Sequence, residues 1–203
     1  MAIGYACLNI GTPNKNIRSV MQRNATAEKL TEVITHNLEA LEKMVDYNIA
    51  NGISLYRISS DLIPFGSSPV NMLPWWDIHA EDFDRIGTKI RRGSMRVSFH
   101  PGQYTVLNSP IEDVVARAIE DLIYHDKILT ALGTDATNKI VLHVGGIYGD
   151  KEAALDRFAE NFQRLPESVQ NRLIIENDDR LYNSEEVLEL TNRLQIPSVF
   201  DNL

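Results

Sequence analysis

Six short apolar runs, each but the last followed by a longer amphipathic stretch, set the terms on which this chain can fold. The runs lie at residues 3–8, 53–58, 95–99, 139–144, 172–175 and 198–200. They are rich in β-branched and aromatic side chains and keep no strict polar alternation, the pattern of strands buried on both faces. Between them, residues 26–51 put Leu30, Val33, Ile34, Leu38, Leu41 and Met44 on one helical stripe, with Thr26 as N-cap and Gly52 just past the end. Similar stripes predict helices over 80–92, 111–132 (ending at Gly133) and 151–165, and Ser184 is the expected cap of a last helix carrying Val187, Leu188 and Leu194. Strict alternation of this kind predicts parallel strands joined by right-handed crossovers, in an open doubly wound sheet or a (β/α)8 barrel. No glycine fingerprint follows the first run, where Asn9-Ile10-Gly11-Thr12 stands, and no phosphate-binding loop motif occurs. Residues 62–79, with Pro64, Pro69, Pro74 and the pair Trp75-Trp76, read as a long loop that either covers one end of the fold or faces substrate.

Composition narrows the setting. With 203 residues, 43% hydrophobic and 24% charged, the chain suits one α/β domain with a substantial core and excludes disordered and low-complexity classes. The lone cysteine, Cys7, excludes an internal disulfide framework and any multi-cysteine metal site. A net charge of −8 argues against a generic polyanion binder, yet bound cations can attract phosphate locally. No signal peptide pattern stands at the N-terminus, and no run approaches the roughly 20 apolar residues of a membrane span. The expectation is a soluble cytoplasmic protein with no membrane and no obligate protein partner.

Polar residues close four consecutive strands. His100 ends Val97-Ser98-Phe99-His100, His143 ends Ile140-Val141-Leu142-His143, Glu176 ends Leu173-Ile174-Ile175-Glu176, and Asp201 ends Val199-Phe200-Asp201. In parallel βα folds that end is where the connecting loops converge and sites are built. Alone, each residue is better read as a hydrogen-bonded core group, but four on successive strands are not four independent accidents. Nitrogen and oxygen donors without thiolate suit Zn2+, Mn2+ or Fe2+. A carboxylate among them could bridge two ions, as phosphodiester hydrolysis uses, although sugar isomerisation on the same barrel uses similar donors. His36, His79 and His125 fall in helical or loop patterns and are expected at the surface. Arg57, inside an apolar strand, is expected to pair with a carboxylate at the site.

The stretches Gly4-Tyr5-Ala6-Cys7-Leu8-Asn9, Tyr56-Arg57-Ile58-Ser59-Ser60, Leu62-Ile63-Pro64-Phe65, Ser98-Phe99-His100-Pro101-Gly102-Gln103-Tyr104, Leu142-His143-Val144-Gly145-Gly146, Ile175-Glu176-Asn177-Asp178 and Val199-Phe200-Asp201-Asn202-Leu203 run in order along the whole chain. Through them the chain resembles the UV damage endonuclease family, relatives of the endonuclease IV and xylose-isomerase barrels. The resemblance implies a (β/α)8 TIM barrel that nicks damaged double-stranded DNA on the 5′ side of UV photoproducts, with up to three divalent ions, often manganese. It implies His100 and His143 as ligands of one ion, Glu176 as the bridging carboxylate and Asp201 as a ligand of the neighbouring ion, these four forming the catalytic set. It implies Gln103 and Tyr104 as the pair that wedges into the duplex where damaged bases leave the stack, and Tyr5 and Asn9 as neighbours of those bases. Arg57, Arg96 and Arg180 are the expected phosphate contacts, and loop capping is the other reading of Asn177, Asp178 and Arg180.

Two features depart from the family. Ser67-Ser68-Pro69 stands where bacterial relatives often carry a histidine, and the family continues past Val-Phe-Asp-Asn-Leu with two more strands. Residues 1–203 are therefore expected to form a single (β/α)-barrel domain with six of the eight strands, its C-terminal part missing. The alternatives are a metal-dependent sugar isomerase or epimerase, and an inactive fragment that only binds metal or DNA.

Overall fold

The computed structural model of the chain describes residues 2–9 and 16–202. The Ile10-Gly11-Thr12 part of the turn after the first run, and Leu203, lie outside the described residues. All six expected strands form: β1 (Gly4–Ala6), β2 (Leu55–Arg57), β3 (Arg96–Ser98), β4 (Ile140–His143), β5 (Leu173–Glu176) and β6 (Ser198–Val199). All but β5 are shorter than the apolar runs that specify them, and the paired strands are parallel. Helices α1 (Ala27–Ala50), α2 (Trp75–Ile78), α3 (Ala80–Arg92), α4 (Glu112–Ala131), α5 (Lys151–Phe162), α6 (Glu167–Arg172) and α7 (Ser184–Leu194) fill the crossovers. Two compact units emerge, Met1–Phe99 with Lys127–Asn138, and His100–Asp126 with Lys139–Leu203, so that α4 begins in the second and ends in the first.

In the first unit the strands lie in the order β1-β2-β3, with Tyr5 opposite Tyr56 and Tyr56 opposite Val97. Helix α1 starts as the sequence says: the Thr26 side chain accepts from the Lys29 amide, and Gly52 follows the helix at φ +66, a conformation that costs glycine nothing. Its stripe, Leu30, Ile34, Leu38, Leu41 and Met44, is fully buried together with Phe83 and Ile86 of α3. Asn37, also on the buried side, is satisfied by Arg18 and Leu62: its Oδ1 accepts from the Arg18 amide and its Nδ2 donates to both carbonyl oxygens. The proline-rich stretch 62–79 is not loop throughout. It contains α2, whose Trp75 is buried against Phe83 at a centroid distance of 5.8 Å, while the Lys127 ammonium stands 3.8 Å from the Trp76 ring centre. Leu62, Ile63 and Trp75 of this proline-rich segment turn into the core, while Met72 and Ile78 face solvent.

The second unit orders its strands β4-β5-β6, with His143 opposite Glu176 and Glu176 opposite Val199. Phe158 and Phe162 of α5 and Val187 and Leu190 of α7 join Ile140, Leu173 and Ile175 in its core. A buried ion pair, Arg172 Nε to Asp126 Oδ1 at 2.8 Å, is completed by the Ser168 hydroxyl donating to the other carboxylate oxygen at 2.8 Å.

Several expectations are corrected. Helix α5 ends at Phe162, three residues short, and α6 fills the approach to β5. The cap of α7 is Asn183 rather than Ser184. His79 and His125 are buried, because each lies on the apolar side of its segment, and His36 is half-buried with Nε2 on the Asn16 carbonyl oxygen. Arg57 makes no ion pair among the described residues; its charge acts on Cys7, whose thiol burial pushes up. Among the described residues no helix is long and apolar enough to cross a membrane.

Candidate active site

The ends of β4 and β5 build the site by register alone. His143 and Glu176 are opposite partners in a parallel ladder, so their side chains leave the sheet side by side. His100 follows β3 by two residues and closes the group. Its Nε2 is 3.0 Å from Glu176 Oε2, His143 Nε2 is 4.0 Å from the same oxygen, and the two imidazole centres are 4.9 Å apart. One donor atom from each residue falls within 4.8 Å of the others. Glu176 is only 7% exposed.

These three residues fit a cation. His100 Nδ1 lies 3.1 Å from the Pro101 carbonyl oxygen, an atom that can only accept, so in a neutral ring Nδ1 holds the proton and Nε2 turns a lone pair toward a carboxylate. Two lone pairs at hydrogen-bond distance need a proton or a metal ion between them. The fixed tautomer is also the one that ligand histidines adopt when a backbone carbonyl orients them. His143 Nδ1 is buried without a hydrogen-bond partner, which leaves that ring's polarity to be met by another group.

Asp201, the fourth expected donor, is not in this group. Its backbone is clamped by Asn177, whose Nδ2 donates to the Asp201 carbonyl oxygen and whose Oδ1 accepts from the Asp201 amide, both at 2.9 Å. Asn177 is thus a brace between the β5 and β6 ends, and Asp178 caps its own loop by accepting from the amides of Arg180, Leu181 and Tyr182.

Beside the three donors opens a cavity of about 950 Å³, lined among others by Tyr104, Arg117, His143, Tyr148, Arg180 and Leu181. Gln103 and Tyr104 stand at the tip of the loop after β3, Tyr104 being 84% exposed. The loop itself is tied down. The Thr105 hydroxyl donates to Asp121 Oδ2 at 2.7 Å, Asn108 Nδ2 to the Gly146 carbonyl oxygen at 2.7 Å, Arg157 Nε to the Asn108 carbonyl oxygen at 2.9 Å, and Asn161 Nδ2 to the Leu107 carbonyl oxygen at 2.7 Å. These bonds brace residues 105–108, the part of the loop that follows the exposed Tyr104.

Tyr5, Asn9 and Arg57 belong to the first unit, Tyr5 within β1, Asn9 beyond its end and Arg57 as the last residue of β2. The Tyr5 hydroxyl is buried, with Asn9 and Asn48 as its polar neighbours, and burial pushes its pKa up. Its ring leans on Tyr56 at 5.1 Å and remains partly exposed. Sequence reasoning passed over Arg117 and Tyr148. Arg117 carried no signal beyond an exposed helical position, whereas Tyr148, between Gly146 and Gly149 in the loop after a ligand-bearing strand, did.

Parallel βα units with polar donors at the strand ends define a protein of the (β/α)8-barrel class, of which the described residues form six strands. The family model for UV-endonuclease UvdE matches residues 2–202, and the chain belongs to that family. It is 43% identical over 203 residues to the UV DNA damage endonuclease of Clostridium perfringens, a match covering 100% of this chain and 49% of that protein. The chain spans about half the length of the curated relatives it matches, 49% of this one and 57% of the Bacillus mycoides protein. The crystal structure of SacUVDE superposes with a TM-score of 0.96 at 37% identity, covering 100% of this chain and 69% of that one. Endonuclease IV from Thermus thermophilus (TM-score 0.55, 16% identical, 79% of this chain and 57% of that one) shares the fold alone. So does D-psicose 3-epimerase from Clostridium cellulolyticum, with a TM-score of 0.55, 14% identity and the same coverage.

Proposed function

We propose that this chain carries the metal-binding and DNA-reading parts of a DNA repair endonuclease that nicks damaged duplex DNA on the 5′ side of UV photoproducts. The observation that carries the reading is the His100–His143–Glu176 donor group opening onto a cavity walled by Tyr104 and Arg180. Divalent ions, manganese first among them and up to three in number, would be held by His100, His143 and Glu176, with Asp201 serving a neighbouring ion. When bound, such ions supply Lewis-acid stabilisation of phosphoryl oxygens and an acidified water.

The chain's own residues do the rest. Glu176, buried and flanked by both histidines, presents its Oε2 3.0 Å from His100 Nε2 and 4.0 Å from His143 Nε2, where a shared ion would be held. Tyr104 fills the gap that extruded bases leave and Gln103 pairs with exposed base edges, lowering the cost of holding the duplex open. Tyr5 and Asn9 contact the damaged bases through the exposed part of the Tyr5 ring. Arg57 and Arg180 take phosphates. This work belongs to the cytoplasm, which the free thiol of Cys7 suits.

A sugar epimerase shares the fold, but a tyrosine 84% exposed beside the donors suits a large ligand better than a small one. Metal content and nicking of UV-irradiated plasmid decide the matter. The wild type should bind divalent metal and prefer irradiated over intact duplex. His100→Ala should lose a metal ion and any nicking together, and normal metal content in that variant would refute the ligand assignment. Tyr104→Ala should keep its metal and lose the preference for damaged duplex.

A further inference from the structure

One aromatic side chain in the cavity is held in a conformation that its own chemistry disfavours. Residues 147 to 150 form a turn closed by the Asp150 amide donating to the Ile147 carbonyl oxygen at 3.0 Å. Its two central residues have positive φ, +49 at Tyr148 and +83 at Gly149. That is the I′ arrangement, which selects asparagine, aspartate or glycine at the first central position because a larger side chain strains there. Tyrosine breaks the local rule. Backbone strain of this kind persists where the side chain serves something other than the turn.

The surroundings say what the ring is for. A Cβ on Gly146 would come within 3.1 Å of the Tyr148 ring atoms, so glycine at 146 is what lets the ring lie against the main chain. The Arg157 guanidinium stands 5.7 Å from the ring centre, itself fixed by its bond to the Asn108 carbonyl oxygen. The ring is therefore placed and braced, yet Tyr148 is 46% exposed and lines the same cavity as Tyr104, Arg117 and the His100–His143 pair. A rigid aromatic with cations nearby in a cavity of this size suits an unstacked nucleobase of a single strand, whose flat face stacks and whose phosphate meets arginine.

We propose that Tyr148 is a second base-stacking residue, taking an unpaired nucleobase at the cavity wall. This rests on the DNA reading of the site and adds an occupant that the Gln103–Tyr104 pair does not account for.

The test measures affinity and melting temperature side by side, using a labelled duplex with a short unpaired bubble, the matched fully paired duplex, and the chain with its metal. Tyr148→Asn relieves the turn, so its Tm should equal or exceed that of the wild type while affinity for the bubble falls about tenfold, the size of one lost stack. Tyr148→Phe, which keeps the ring, should bind as the wild type does. Equal loss in Tyr148→Phe would place the contact on the hydroxyl and overturn stacking. A Tyr148→Asn protein that binds normally, or one that melts lower in proportion to its lost binding, would show a residue serving the turn alone and overturn the proposal. A wild type indifferent to both duplexes would overturn the DNA reading itself, and the inference with it.

Discussion

His125 has 1% of its surface exposed, and its Nδ1 donates to the Asp121 carbonyl oxygen at 2.6 Å. Burial disfavours the charged ring and pushes its pKa below the usual 6.5, against the opposing pull of Asp121 and with help from the nearby His100. The unfolded chain therefore takes up a proton on this residue at a higher pH than the folded chain does. The stability it contributes is complete above about pH 6.5 and is lost as the pH falls from there toward the folded-state value. Melting temperature should drop between about pH 7 and about pH 5, by roughly 2–4 °C for each kcal/mol lost. In His125→Gln that part of the slope should vanish, and an unchanged slope would assign it to other groups. The burial was legible: His125 stands three residues from Leu122 and from Ile128, on the stripe that fills the core. Reading it as a surface group put residue type before position.

At the level of elements, α7 shows how a boundary is decided. Asn183 and Ser184 are both good caps, but only Asn183 has a glutamate three residues on. Asn183 Oδ1 accepts from the Glu186 amide at 3.0 Å, and Glu186 Oε2 accepts from the Asn183 amide at 2.9 Å. Glu186 also takes the Lys151 ammonium at 2.8 Å, joining the starts of α5 and α7. Asn183→Ala should cost about 1 kcal/mol and Asn183→Gly only a few tenths, read as a fall of roughly 2–4 °C in the melting temperature for alanine. An alanine variant as stable as the wild type would mean that the side-chain bond is not what holds this end. The long elements were legible because apolar stripes and runs must match what they pack against. Helices α2 and α6, of four and six residues, were not, since neither is long enough to show a period. Each instead follows a proline N-cap, Pro74 and Pro166, of which the sequence reading used only Pro74, as part of a long loop. The donors His143 and Glu176 could be found from sequence because strand register makes them neighbours. Asp201 lies two residues past a strand of only two residues and has no such register to place it beside them.

For the molecule as a whole, a net charge of −8 sets a problem that a DNA-binding reading has to meet. At long range the protein repels a polyanion, so binding depends on a few cations at the cavity. Arg117 is exposed there, Arg180 reaches out with 83% of its side chain exposed and Asp179 as its ion-pair partner among the described residues, and Arg157 stands behind Tyr148. Three phosphate contacts would give a logarithmic salt slope of about −2.7, a loss of roughly 40-fold in affinity between about 50 and about 200 mM salt. The same salt screens the overall repulsion and offsets part of that loss, so the expected fall is about tenfold. Arg117→Gln should make the slope shallower by about one and weaken damaged and intact duplexes alike, because a phosphate contact carries no base information. Titrations at several salt concentrations with and without chelator measure both quantities. A slope near zero would leave DNA attraction to the metal ions alone, and a slope unchanged in the variant would move the phosphate path away from α4.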